Sequence, residues 1–174
     1  MHILLAALGI LAAGAFWIYR VRRVADNTRV VLDAAQDIKA AARRFGFRTR
    51  ANQHPAEGVD DPRVSAAALL VLVAETDGGI SRAEQDMILE QLQSVFAMPA
   101  GEVEELFQFA KWLANQSSNP DDMIRRLIKR TVNLGGRDTL PDLIRMVSAV
   151  GKADTGTLTD DTQQVIERLK QLNA

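Results

Sequence analysis

The segment from Pro62 to Thr76, PRVSAAALLVLVAET, constrains this chain more than any other. Asp61 supplies an N-cap carboxylate, and Pro62 takes the first helical position, where a backbone N–H has no intrahelical partner to lose. From Ala66 to Ala74 no polar residue interrupts any face, so a helix here has no side to turn toward water. It must be enclosed by other elements, and residues 62–76 are expected to form the most buried helix of the protein.

The rest of the sequence offers partners of one kind. Ser81 followed by Glu84 forms a capping box that opens a helix from Arg82 to about Ala97, with Ile88, Leu92 and Val95 inward. From about Glu102 to Asn115, the residues Val103, Leu106, Phe107, Ala110, Leu113 and Ala114 keep the helical period, with Trp112 at the edge. Asn119-Pro120 opens a further helix, which turns Met123, Leu127 and Ile128 inward and stops at Gly135-Gly136. Two more are expected, from about Arg137 to Ala153 and from about Asp160 to Leu172. No run alternates with period two, so strands are not expected. With 174 residues, 47% of them hydrophobic, the chain fits one all-α domain, residues 60–174, plus an appendage.

The appendage is set apart by charge. Residues 20–50 carry nine Lys or Arg against three acids, whereas residues 51–174 carry twelve against nineteen. A formal charge of −1 therefore conceals a basic stalk and an acidic head. Ahead of the stalk, the seventeen residues Ile3–Tyr19 are uncharged. At about 1.5 Å per residue they come close to crossing a hydrocarbon core of about 30 Å. Trp17, Tyr19, Arg20, Arg22 and Arg23 follow in the order expected where a helix leaves lipid through the headgroups. Residues 1–23 are accordingly expected to be a single-pass anchor in a bacterial inner membrane, with membrane lipid as one partner and the head in the cytoplasm. The competing reading is a cleaved signal peptide around Ala13-Gly14-Ala15, but such a peptide carries its positive charges before the apolar run and here they follow it. Gly9 and Ala13 have a small-xxx-small spacing that could seat another membrane helix.

Residues 24–59 read as an amphipathic stalk and connector. Val31, Ala34, Ala35, Ile38, Ala42 and Phe45 recur at helical spacing, Gly46 is the stop, and FRTRANQHP is expected to be extended. Arg43, Arg44, Arg48 and Arg50 make a basic patch that suits anionic lipid or an acidic partner, or is simply a solvated helix end. Nucleic acid is not expected as a partner, because the head is acidic and the basic stretch has no reading motif.

Two turns carry the chemistry. In AETDGGISRAEQDMI, Asp77 and Gly78 turn the chain and Glu84 follows in the next helix. The pattern returns in KADTGTLTDDTQQVI, where Gly156 matches Gly78, Leu158 matches Ile80, Thr159 matches Ser81 and Ile166 matches Ile88, an internal repeat of 78 residues. Asp-Gly-x-Ile-x-x-x-Glu is also the second half of an EF-hand loop, in which the glutamate binds calcium through both oxygens. The first half is missing, since Val73 and Glu75 would fill positions one and three. Two carboxylates alone make a weak site for a hard cation, and the same residues can serve only as turn and cap.

Those turns give the chain a resemblance to the tellurite-resistance TerB family, whose halves carry a D-G-x-[IL]-x-x-x-E turn between helices. The resemblance covers about residues 60–174. It implies a compact all-α fold preceded here by the anchor and stalk, and a divalent-cation module (calcium or magnesium) of tellurite and chemical-stress systems, with similar domains found on membrane-tethered proteins. By position Asp77 and Glu84 match the family's acidic sites. In the second copy Thr155 and Thr162 stand where acids belong, and Asp154 and Asp161, each one position early, are the candidate oxygens there.

No enzyme is expected. The histidines are His2 and His54, both outside the head, cysteine is absent, and no phosphate loop or dinucleotide fingerprint occurs. No small-molecule substrate is expected either. Two functions remain: a tethered TerB-like interaction module with a cation site, and a structural accessory subunit of a larger inner-membrane complex, respiratory or transport, through an integral-membrane partner. The orientation is directly testable: a C-terminal reporter active only in the cytoplasm should work, and activity of a periplasm-only reporter there would overturn the topology.

Overall fold

The computed structural model describes residues 36–48, 52–76 and 78–173. Contacts divide the chain into two units, Met1–Lys39 and Ala40–Ala174, and the architecture below is that of the second. The anchor expected over residues 1–23, with Trp17, Tyr19, Arg20, Arg22 and Arg23, lies outside the described residues, as does Arg50. Among the described residues no helix is long and apolar enough to cross a membrane.

Helix α1 occupies residues 36–44, of which 40–44 belong to the second unit, and a 3-10 turn follows at Pro55–Gly58. Six helices then run in order: α2 (Pro62–Ala74), α3 (Arg82–Phe96), α4 (Ala100–Ala114), α5 (Pro120–Gly135), α6 (Leu140–Val150) and α7 (Asp160–Asn173). The described residues contain no strand.

Helix α2 is the axle of this assembly. The Asp61 side chain accepts from the Arg63 N–H at 2.9 Å, and every residue from Val64 to Ala74 is buried. It is walled in by α3, α4, α5 and α6, while α7 packs chiefly on α6. Alanines at 66, 67, 68 and 74 keep the helix narrow, so neighbours can approach on every side. Its one polar side chain in that stretch is satisfied: Thr131 of α5 donates to Ser65 Oγ at 2.8 Å, and Ser65 donates to the Pro62 carbonyl at 3.0 Å.

The segment expected to be one helix from Arg137 to Ala153 is divided. A 3-10 turn at Arg137–Thr139 precedes α6, because Pro141 has no N–H and fits only the first turn of a helix. Helix α6 then stops at Val150, with Gly151 against α7: a Cβ there would lie 2.6 Å from Thr162 Cγ2.

The connector also differs from the extended form expected. Phe45 is 3% exposed and stacks on Phe109 with centroids 6.3 Å apart. Phe47 meets Phe109 and Trp112 edge-on, both at 5.5 Å. The Arg48 N–H donates to the Gly58 carbonyl at 2.9 Å, and only glycine fits at 58, because a Cβ would collide with the Arg48 carbonyl. Arg130 of α5 donates to the Val59 carbonyl and holds Asp60 at 3.0 Å. Aromatic burial, not the charge pattern, decides the course of these residues.

Leu70, at the middle of α2, is fully buried. Leu70→Asp should destabilise the protein by several kcal/mol, since an unpaired carboxylate would have no partner there, and this is comparable to the whole stability of a typical domain. Loss of the cooperative thermal transition by circular dichroism is the expected result.

Candidate functional site: the acidic turns and the cleft at the foot of α2

The first turn leaves α2 through Glu75 and Thr76 and reverses at Gly78 and Gly79, whose φ angles of +120° and +131° suit residues without a Cβ. Asp77 lies outside the described residues. Helix α3 begins with a closed capping box: the Ser81 N–H donates to Glu84 Oε2 at 2.8 Å and the Glu84 N–H donates to Ser81 Oγ at 3.2 Å. Glu84 is 5% exposed, so its carboxylate is committed to this cap.

The second turn repeats the design with different atoms. Gly156 has φ +76°, and its N–H donates to the Lys152 carbonyl at 2.8 Å. The Thr162 N–H donates to Thr159 Oγ1 at 3.2 Å, and the two threonine hydroxyls lie 2.9 Å apart. Thr162, at the position of Glu84 in the repeat, is 1% exposed. A buried hydroxyl has replaced a buried carboxylate in the same cap. Asp154 is exposed on the outer part of this turn.

Asp161 faces elsewhere. With Glu75, Thr76, Asp121, Gln164 and Arg168 it lines a cleft of about 400 Å³ whose floor includes Leu72 and Ile124. The cleft sits where the C-terminus of α2 meets the first turns of α5 and α7. Asp121 and Asp161 lie in those first turns, where the positive end of a helix dipole favours carboxylates. Glu75 is held differently: partial burial pushes its carboxyl above the ordinary value of 4.5, against the opposing pull of Lys111.

Of the acids singled out in the sequence, then, Asp161 enters the cleft, while Glu84 and Asp154 do not line it. Among the described residues no three His, Asp or Glu side chains converge closely enough to hold a metal ion. Glu75, which the sequence offers only as position three of an incomplete EF-hand loop, and Asp121, at the start of a capped helix, are not expected at one site because each has a local explanation. Only the packing of α2 against α5 places them at one cleft.

The basic patch is partly consumed within the molecule. Arg44 binds Glu105 of α4 at 2.7 Å, Arg48 stands 3.8 Å from Asp60, and Arg43 is exposed.

The family model described as tellurite resistance protein TerB matches residues 63–172, from the first turn of α2 to the last turn of α7. The chain belongs to the TerB family. No curated protein and no solved structure matches it. The TerB domain thus takes in all six helices from α2 to α7, both glycine turns and the cleft, whereas the connector and α1 precede it.

Two outcomes follow for the TerB domain. Ser81→Ala and Thr159→Ala should each lower stability by about 1 kcal/mol through loss of an N-cap, measured by denaturant unfolding. The raised Glu75 carboxyl contributes stability that is fully present below 4.5 and is lost as pH rises through its higher folded value. Glu75→Gln should therefore stabilise the protein at neutral pH relative to wild type, and that advantage should vanish in acid.

Proposed function

We propose that this TerB protein is a membrane-tethered, non-enzymatic interaction module whose cleft at the foot of α2 takes a divalent cation, calcium or magnesium, in a tellurite or chemical-stress response. The observation that carries the cation reading is that Asp161, from the second half of the repeat, lines the same cleft of about 400 Å³ as Glu75 and Asp121, with Arg168 also on its wall. Carboxylate oxygens are the donors a hard cation requires, and Asp77 follows Glu75 by two residues in the sequence. A cation in the cleft would also relieve the cost of ionising the half-buried Glu75. Tethering rests on the uncharged Ile3–Tyr19 run and its trailing arginines, and an integral-membrane protein is the expected partner.

A second reading, a structural accessory subunit of an inner-membrane complex, draws on the caps. Glu84 is spent on Ser81 and its counterpart is Thr162, so the repeated acidic position serves the fold in both halves.

Thermal melts of the detergent-solubilised chain separate the two. Cation binding should raise the melting temperature, by the equivalent of about 2.7 kcal/mol at a hundredfold excess over the dissociation constant. Asp161→Asn should abolish the rise and leave the cation-free melt nearly unchanged. No shift with millimolar calcium or magnesium, together with stoichiometric recovery in an integral-membrane complex from gently solubilised membranes, would favour the accessory subunit.

A further inference from the structure

His54 stands at the junction between the connector and the TerB domain, in a pocket of about 150 Å³ that it shares with Phe47, Arg48, Trp112 and Gln116. Its two ring nitrogens are in unlike situations. Nδ1 accepts from the Ala56 N–H at 3.2 Å and so caps the 3-10 turn Pro55–Gly58. That bond requires Nδ1 to be unprotonated, which puts the ring proton on Nε2. Nε2 is buried and has no hydrogen-bond partner; the nearest carboxylate oxygen, Asp122 Oδ2, is 3.6 Å away. Asp122 is already occupied, by Arg126 Nε at 2.7 Å and by Arg125 at 2.8 Å, and Arg126 reaches on to Glu57 at 2.7 Å.

We propose that His54 is a proton-operated latch, which holds the connector on α4 and α5 while its ring is neutral and releases it on protonation. A second proton can go only to Nδ1. There it would set one N–H against another at Ala56 and remove the cap from the 3-10 turn. Releasing that turn frees Gly58, whose carbonyl holds Arg48, and with it the strip that lays Phe47 against Phe109 and Trp112.

The charged groups around the ring decide the direction. Glu57, on the same 3-10 turn, and Asp122 of α5 favour the cation, while Arg126 of α5 opposes it; Arg48 also lines the pocket, and Trp112 of α4 and Gln116 just beyond its end are uncharged. Burial of the ring and the nearness of Arg126 outweigh the two acids and hold the imidazole below its ordinary value of 6.5. With the closed-state value depressed, the open state binds the proton more tightly. Closure is therefore fully stable above 6.5 and weakens as pH falls below it, within the range where histidine acts as a physiological switch.

Hydrogen exchange on the detergent-solubilised full chain tests this. Protection factors, which are corrected for intrinsic exchange, should fall severalfold at the Ala56 and Arg48 amides between pH 7.5 and pH 5.5, by no more than about tenfold per pH unit. Amides of α2 should be unaffected. His54→Asn keeps an acceptor for the Ala56 N–H without titrating, so it should stay closed and lose the pH response. His54→Ala should be open at both pH values. Unchanged wild-type protection at Ala56 and Arg48, or an undiminished pH response in His54→Asn, would overturn the latch.

Discussion

Everything in this protein is arranged around the need to keep one helix out of water. From Val64 to Ala74 helix α2 has no polar face, and four other helices are required to cover it. The small side chains along α2 let α4 and α5 come close, so the enclosure is tight as well as complete. The Thr131–Ser65 hydrogen bond shows how strict the constraint is, since the one hydroxyl inside the enclosure is met by a hydroxyl from across the helix pair.

Burial of α2 also creates the cleft. A helix that runs through the middle of a domain must emerge at its end, and there it brings its C-terminal residues among the first turns of α5 and α7. The carboxylates of those first turns, Asp121 and Asp161, are stabilised by their own helices and need no cation to be tolerated. Glu75 has no such support, because it stands at the end of α2 where the dipole is negative. Partial burial therefore leaves Glu75 with a raised proton affinity within this cleft.

The repeat separates what the turn motif does for the fold from what it can do for a ligand. In both halves a glycine takes a positive φ and a residue three places into the next helix closes its N-terminus, Glu84 in one and Thr162 in the other. Both are buried, so the requirement at this position is a hydrogen-bonding side chain of modest size rather than a charge. The connector answers to a different demand. Phe45 and Phe47 cover Phe109 and Trp112, and this ties the approach to the domain into its aromatic edge.

The sequence by itself determined α2 to α5 and α7 to within a few residues and the caps of α2, α3 and α5, because capping boxes, prolines at first helical positions and the 3.6-residue period act within a few residues along the chain. It determined the repeat of the two turns for the same reason. Tertiary structure alone decided which acids share a cleft: Asp161 and Glu75 are 86 residues apart, and the packing around α2 brings them together. It decided too that Glu84 is a cap, a role local spacing allowed without excluding a ligand, and that Phe47 packs on Phe109 and Trp112 of α4 instead of running free. Contacts between distant residues are set by the burial of whole faces, and short-range spacing carries no record of which faces will meet.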